Sequence, residues 1–369
     1  MTKQKKRVHA CIAGGGTGGH VMPALALADA LREQWQGAHV SFIGAKRGLE
    51  ATLLPERGEA ALLLDMHAIQ GVGMLHRVRV LLWEMPKAVW KIRQQWKCDK
   101  PQVLVGVGGY ASATGVVAAL VSGVPVVLYE QNARLGLVNR TLARFCQKMM
   151  LGFSEVAKEI PHVATVYTGN MVRQSIHAVR WQAHTPPCLL VMGGSQGALF
   201  LNDLLPQACA VLKSEGFEFQ VKHVCGSYQQ PRERIVQQYA DAGVTAEVMV
   251  FCDDMPSFYA QGDLLVARAG AMTLSEVGVV GMPALFVPLP TAADQHQWFN
   301  ARSLSDQGAA LCLQQADGSV EVVVELLRTT LCQPKVLEKM SQMTWQCAKR
   351  DAKAAQLAVL AEWMGEEEV

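Results

Sequence analysis

Gly14-Gly15-Gly16-Thr17-Gly18-Gly19-His20 follows the apolar residues Val8, Ala10, Ile12 and Ala13 and runs directly into a stretch of helical periodicity. A strand that ends in such a loop leaves backbone N–H groups bare at a helix N-terminus, where an anion binds without help from side chains. The order strand, glycine loop, helix therefore predicts an α/β domain with a diphosphate-like ligand. His20 adds a titratable group at the rim of the loop. A tight turn with close helix packing is the competing reading of the glycines. Gly14, Gly16 and Gly19 also fit G-x-G-x-x-G, but a dinucleotide site needs an acid after the second strand, and Val40-Ser41-Phe42-Ile43 ends in Gly44-Ala45-Lys46-Arg47.

The same theme restarts in the second half. Cys188-Leu189-Leu190-Val191-Met192 precedes Gly193-Gly194-Ser195-Gln196-Gly197 and then a helical stretch from Ala198 to Leu212. Apolar runs at 8–13, 39–43, 103–107, 125–129, 188–192, 247–251, 263–267 and 284–287 alternate with helical segments, the pattern of parallel sheets. The expected organisation is two Rossmann-like domains, 1–170 and 188–346, with a linker at 171–187 marked by Pro186-Pro187. A final helical segment, 347–369, is expected to return to the first domain. Ligands sit beyond the carboxyl ends of parallel strands, so both glycine loops are expected at a shared cleft.

Composition narrows the class. Of 369 residues, 50% are hydrophobic and 18% charged, which fits a packed globular chain and excludes disorder. Residues 1–170 carry 20 Lys and Arg against 11 Asp and Glu (net +9), and the remainder 14 against 21 (net −7). A basic first half implies an anionic partner: phosphates, a membrane surface or nucleic acid. The ten cysteines form no C-x-x-C pair, and no histidine spacing suits zinc, so no metal and no disulfide framework is expected. The basic start is not followed by a long apolar core, and no run reaches the roughly 18 apolar residues of a membrane span. A soluble or peripheral protein is expected.

Further motifs end other strands. Gly106-Val107-Gly108-Gly109-Tyr110-Ala111-Ser112 lets backbone approach a ligand closely, unless it is only a turn. Leu128-Tyr129-Glu130-Gln131-Asn132 closes a buried strand with three polar side chains, followed by Gly136 and Asn139. Arg268-Ala269-Gly270-Ala271-Met272-Thr273-Leu274-Ser275-Glu276 offers small residues at a helix start and a carboxylate one turn in. That carboxylate suits two ribose hydroxyls, or else merely complements the helix dipole. Asp294, Gln295, His296, Gln297 and Asn300 follow another strand and suit sugar hydroxyls.

Taken together, Gly15 to His20, Gly108-Gly109-Tyr110-x-Ser112, Glu130-Gln131-Asn132, Gly169-Asn170-x-Val172-Arg173, Gly193 to Gly197, the run ending at Glu276, and Gln297 with Asn300-Ala301 resemble the MurG family over nearly the whole chain. These are the UDP-N-acetylglucosamine:lipid I N-acetylglucosaminyltransferases of peptidoglycan synthesis. The resemblance implies a GT-B fold, the acceptor bound mainly by the first domain and the UDP-sugar mainly by the second. It also implies roles in the cell wall, cell shape and division. Carried over, Cys252 lies by the uracil, Glu276 by the ribose, and Ser195 with Ala271, Met272 and Thr273 by the diphosphate, with Leu274 and Ser275 also counted as donor-binding. Gln297, Asn300 and Asn132 address the N-acetylglucosamine, Arg173 matches a binding position at the domain junction, and Thr17, Gly18 and Gly19 approach the transferred group. Gly16, Gly109, Tyr110 and Asn139 are assigned to the acceptor. Met171 and Thr114 stand where the family usually has Pro, which relaxes local backbone and removes no polar group.

The implied reaction inverts the anomeric carbon as the C4 hydroxyl of the muramoyl sugar attacks and UDP leaves, giving lipid II. His20 is the favoured base and Glu130 the reserve. Arg268 or Arg173 and helix N-termini meet the leaving charge. No Asp-x-Asp is present to bridge a metal, and no cofactor is expected. A lipid-linked acceptor places the protein at the cytoplasmic face of the inner membrane. Within 73–97, Leu75, Val78, Leu81, Leu82, Trp83, Val89, Trp90 and Ile92 alternate with Arg77, Arg79, Lys87, Lys91, Arg93 and Lys97, which suits an anionic lipid surface. An amphipathic helix facing the core, interrupted at Pro86, is the other reading. No recognition motif supports nucleic acid. A same-fold transferase to another lipid, a UDP-sugar epimerase and a non-catalytic sugar-nucleotide-binding scaffold are the alternatives.

Overall fold

The computed structural model describes residues 8–16, 18–67, 73, 79–194, 197–227 and 232–365. The chain forms two compact units, one running to Met171 and resuming at Asp351, the other spanning Val172–Arg350.

The first unit is built on β1 (His9–Ala13), β2 (His39–Ala45), β3 (Ala60–Leu64), β4 (Val103–Gly106), β5 (Val126–Glu130), β6 (Lys148–Leu151) and β7 (Thr165–Tyr167), all parallel, in the order β3-β2-β1-β4-β5-β6-β7. Strand periodicity feeds both faces: Ala10 and Ile12 enter one core, Cys11 and Ala13 the other. On the first face lie α1 (Gly18–Gln34) and the C-terminal helix Ala352–Met364. On the second lie α3 (Met85–Trp96) and α4 (Gly109–Ser122), while the short α2 (Glu50–Glu56) follows β2. The order reverses between β1 and β4, so the loops leaving these two strands meet at the switch point.

The second unit repeats the plan with β8 (Cys188–Met192), β9 (Gln220–Val224), β10 (Thr245–Met249), β11 (Leu264–Ala267), β12 (Ala284–Phe286) and β13 (Leu311–Cys312) in the order β10-β9-β8-β11-β12-β13. Its switch point lies between β8 and β11, where the Gly193 loop and the segment after Ala267 come together.

Several local expectations change. Strand β10 covers Thr245–Met249, and Val250 and Phe251, expected inside it, are exposed beyond its end. The expected final segment from 347 begins later: Cys347 closes the preceding helix, and the last helix runs Ala352–Met364. Residues 172–187, expected as a linker, pack on the second unit. There the Trp181 indole donates to the Asp263 carbonyl at 3.1 Å, and the His184 and Cys188 amides donate to its carboxylate at 2.7 Å each. Pro86 does not interrupt its helix. It sits in the first turn of α3, directly after a wide π-helical turn at Val80–Glu84.

Candidate functional site

In the first unit the glycine loop takes backbone angles that side chains avoid: φ is +153° at Gly14 and Gly15 and +98° at Gly16. The loop after β4 comes so close that a Cβ on Gly109 would stand 2.6 Å from the Gly15 carbonyl oxygen, and one on Gly108 would stand 2.9 Å from Nε2 of His20. His20 lies in the first turn of α1, half-buried, with Nδ1 3.2 Å from the Gly15 carbonyl oxygen. That contact suits an Nδ1–H donor and leaves Nε2, beside Gly108, as the basic nitrogen. Gly16 and Gly19 are exposed and Gly18 half-buried, while Thr17 lies outside the described residues.

A carboxylate that sequence reading passed over braces this loop. Glu50, the first residue of α2, is buried; its Oε2 accepts from the Gly16 amide at 2.7 Å and its Oε1 from the Ala45 amide at 2.9 Å. The loops bend around it, since a Cβ on Gly15 or Gly48 would meet the carboxylate at 2.1 Å. Gly48-Leu49-Glu50, a glycine two residues before a carboxylate at a helix start, was the available signal. Tyr110 stands close by: burial raises its phenol, and the Glu50 charge adds to the rise.

Glu130 ends β5 and is also buried. Its Oε1 accepts from the Asn132 backbone and side-chain amides at 3.1 and 3.2 Å, and its Oε2 from the Gly136 amide and Asn139 Nδ2 at 3.0 and 2.9 Å. Four donors on a buried carboxylate make it a fastener for the following loop rather than a group open to a substrate proton. Asn139 belongs to the same network; it is buried and turned to Glu130 and the Tyr129 carbonyl, not to an open surface. Asn132 is half-buried beside them. Asn170 joins this network to the next motif, accepting from the Tyr129 hydroxyl at 2.8 Å and donating to the Gln131 carbonyl at 3.0 Å.

The second unit holds a cavity of about 530 Å³ at its switch point, with Gly193, Gly194, Gly197, Gly270, Thr273, Arg268 and Gln297 in its walls. Gly194 accepts from the Gly197 amide across a tight turn whose middle residues, Ser195 and Gln196, lie outside the described residues. Helix α5 (Ala271–Val280) begins at Gly270 without a side-chain cap, which leaves its first amides for a ligand. Of the motif residues on this helix, Thr273 reaches the cavity. Leu274 is buried in the core, and the Ser275 hydroxyl returns to the Ala271 carbonyl. The Arg268 guanidinium donates to the carbonyls of Val287 and Pro288 and to Gln315, and burial lowers its pKa.

Behind Thr273, Glu276 accepts from the buried Tyr259 hydroxyl at 2.9 Å and lies 3.5 Å from the exposed Arg173 guanidinium. Burial raises the Glu276 carboxyl, and Tyr259 and Arg173 pull it down only in part. Cys252, half-buried, feels the Arg173 charge as well, so Arg173, Cys252 and Glu276 form one group. Gln297 accepts from the Ala269 and Leu289 amides through Oε1, which leaves its NH₂ as the donor toward the cavity. Asn300, expected at the sugar, is buried and donates to the Ala269 carbonyl; it holds the wall rather than forming it. Just before α6 (His296–Ser305), Asp294 and Gln295 adopt positive φ of 50° and 55°, a strained pair for residues with side chains.

Comparison with known proteins identifies the family. Residues 10–151 match the glycosyltransferase family 28 N-terminal domain and residues 188–357 the C-terminal domain of that family. The UDP-N-acetylglucosamine–N-acetylmuramyl-(pentapeptide) pyrophosphoryl-undecaprenol N-acetylglucosamine transferase of Magnetococcus marinus is 38% identical, with 95% of this chain and 96% of that protein aligned. The Aeromonas hydrophila enzyme of the same name is 39% identical over 92% of each. The crystal structure of Acinetobacter baumannii MurG superposes with a TM-score of 0.81 at 34% identity, covering 96% of this chain and 99% of that one.

Proposed function

The chain belongs to the MurG family of glycosyltransferases with the GT-B fold, and from that premise we propose that it moves N-acetylglucosamine from UDP-N-acetylglucosamine to undecaprenyl-pyrophosphoryl-N-acetylmuramyl-pentapeptide (lipid I), forming lipid II. The observation that carries the donor half is Glu276. A largely buried carboxylate held by Tyr259, one turn beyond the uncapped start of α5, suits a nucleoside diphosphate whose ribose meets the acid and whose phosphates meet the amides. Arg173 and Arg268 supply positive charge for the departing UDP. Gln297 offers its amide to the sugar.

In the first unit, His20 acts as general base on the C4 hydroxyl of the muramoyl sugar, with Nδ1 anchored at Gly15 and Nε2 taking the proton. Attack on the face opposite UDP inverts the anomeric carbon. Glu130 positions the Asn132–Asn139 loop and Glu50 positions the Gly14–Gly16 loop, neither exchanging a proton with substrate.

The same unit meets the lipid surface. Leu82, Trp83 and Trp90 are 65%, 66% and 61% exposed, close in sequence to Lys87, Lys91 and Arg93, whereas Val80, Ala88, Ile92 and Trp96 enter the core. The covered face is the core face of an amphipathic helix, and the exposed face is the one we assign to lipid. Glu84, its one acid, is taken up by His67 and Arg79. Leu75, Arg77 and Val78 lie outside the described residues, as does the side chain of Leu81. No helix among the described residues is long and apolar enough to cross a membrane. Peripheral attachment to the cytoplasmic face of the inner membrane, through exposed aromatic and cationic side chains, follows from this proposal.

The test is UDP release by purified protein supplied with UDP-N-acetylglucosamine, with and without a short-chain lipid I analogue. Release that depends on the analogue supports the assignment. Tight donor binding with no acceptor-dependent release overturns it.

A further inference from the structure

At the amino-terminal ends of β1 and β2, opposite the glycine loop, the sheet register pairs His9 directly with His39, so both imidazoles project from the same face. The rings stack with centroids 4.3 Å apart and planes 29° from parallel. The segment entering β4 lies alongside, tied to β1 by the Gln102 amide donating to the His9 carbonyl at 2.8 Å and the His9 amide donating to the Gln102 side chain at 2.9 Å. This brings Asp99 to both rings: Nδ1 of His9 is 3.2 Å from one carboxylate oxygen and Nδ1 of His39 is 2.6 Å from the other.

We propose that His9, His39 and Asp99 form a binding site for a divalent transition-metal ion of the zinc class, separate from the transferase chemistry. Two imidazole nitrogens and a carboxylate oxygen are a donor set that such ions favour. The three ligand atoms lie within 4.8 Å of one another. Tetrahedral zinc with bonds of about 2.0–2.1 Å separates its ligand atoms by about 3.4 Å, so the groups need adjustments of up to about 1.4 Å that turn the nitrogens of the stacked rings toward one point. His39 and Asp99, both partly exposed, can make them. The buried ring of His9 is already oriented from behind, because its Nε2 lies 2.8 Å from the Ser41 hydroxyl, the outer-shell contact that metal-binding histidines use to fix tautomer and direction. Three protein ligands leave a fourth position for water. The ion clips three neighbouring strands together and stabilises the folded first unit.

Untagged full-length protein, stripped with a chelator and dialysed, is titrated with zinc chloride in a calorimeter at neutral pH, and its melting temperature is recorded with and without zinc. Wild type is expected to take up one equivalent and melt higher with zinc. Ser41→Ala is expected to weaken uptake by about 10- to 100-fold, and His39→Ala and Asp99→Ala by more. Cys98→Ser, at an exposed thiol next to Asp99, and His162→Ala, at an exposed histidine elsewhere, are expected to bind as wild type does. No uptake by wild type overturns the proposal, as does unchanged uptake in His39→Ala and Asp99→Ala, or uptake abolished by Cys98→Ser but kept in His39→Ala.

Discussion

Side chains that carry chemistry and side chains that hold loops look alike in the sequence and differ in their partners. His20 keeps Nδ1 against the Gly15 carbonyl oxygen and stays half-exposed, which fits a base. His20→Ala is predicted to lower kcat by about 10²- to 10⁴-fold with UDP-sugar affinity unchanged, read by turnover and by donor titration. Glu50 is the contrasting case. Glu50→Ala leaves the Gly16 and Ala45 amides without their acceptor, and each such loss costs about 1–3 kcal/mol where the group stays buried. Urea unfolding should show the loss. Glu276 combines both roles. Its folded-state pKa is raised, so its contribution to stability is fully present below the unfolded carboxylate value and is lost as pH rises through the folded value. Glu276→Gln is therefore expected to be at least as stable as the parent at neutral pH while binding UDP roughly 10- to 100-fold more weakly, the loss of a charged hydrogen-bond acceptor. Parent affinity for UDP should fall as mild acid protonates the carboxylate, and that of Glu276→Gln should stay flat. The motifs named His20, Glu130 and Glu276 as members of sites. They could not separate Glu130, closed off by four donors, from an open base, because that depends on where Asn132, Gly136 and Asn139 fold back.

Elements show the same division between what periodicity reveals and what pairing decides. Strands β1, β5, β8 and β11 are apolar on both faces and stand out as runs; β7 and β9 lie nearer the sheet edges and carry mixed patterns, and these two, with the apolar but only partly buried edge strand β3, escape notice. In α3, a sequence pattern of Trp, Leu and cations cannot say which face is covered. The fold buries Ile92 and Trp96 and leaves Trp83 and Trp90 outside. Replacing Trp83 and Trp90 together with Ala is predicted to abolish sedimentation with anionic vesicles while leaving the melting temperature nearly unchanged. Reversing Lys87, Lys91 and Arg93 to Glu should weaken binding in a salt-dependent way, at about 1 kcal/mol per cation. His9, His39 and Asp99 were illegible for a related reason: no local spacing joins them, and only the β1–β2 register and the entry to β4 bring them together.

For the whole molecule, the repeated strand, glycine loop and helix announced two α/β units, and each unit puts its loop at the switch point of its own sheet. Less legible was the chain's path: Val172 already belongs to the second unit, and Asp351 returns to the first, where Gln356 donates to the Gly169 carbonyl at 2.9 Å. The division of labour that follows, base and acceptor with one unit and UDP-sugar with the other, predicts a single product. The most direct measurement is the structure of that product, by mass and proton NMR, after incubating the protein with UDP-N-acetylglucosamine and a soluble lipid I analogue. The account predicts one added N-acetylhexosamine, β-linked to the C4 oxygen of the muramoyl sugar, with UDP released in equal amount. An α-linked sugar, or a donor epimerised or hydrolysed without transfer, would contradict it.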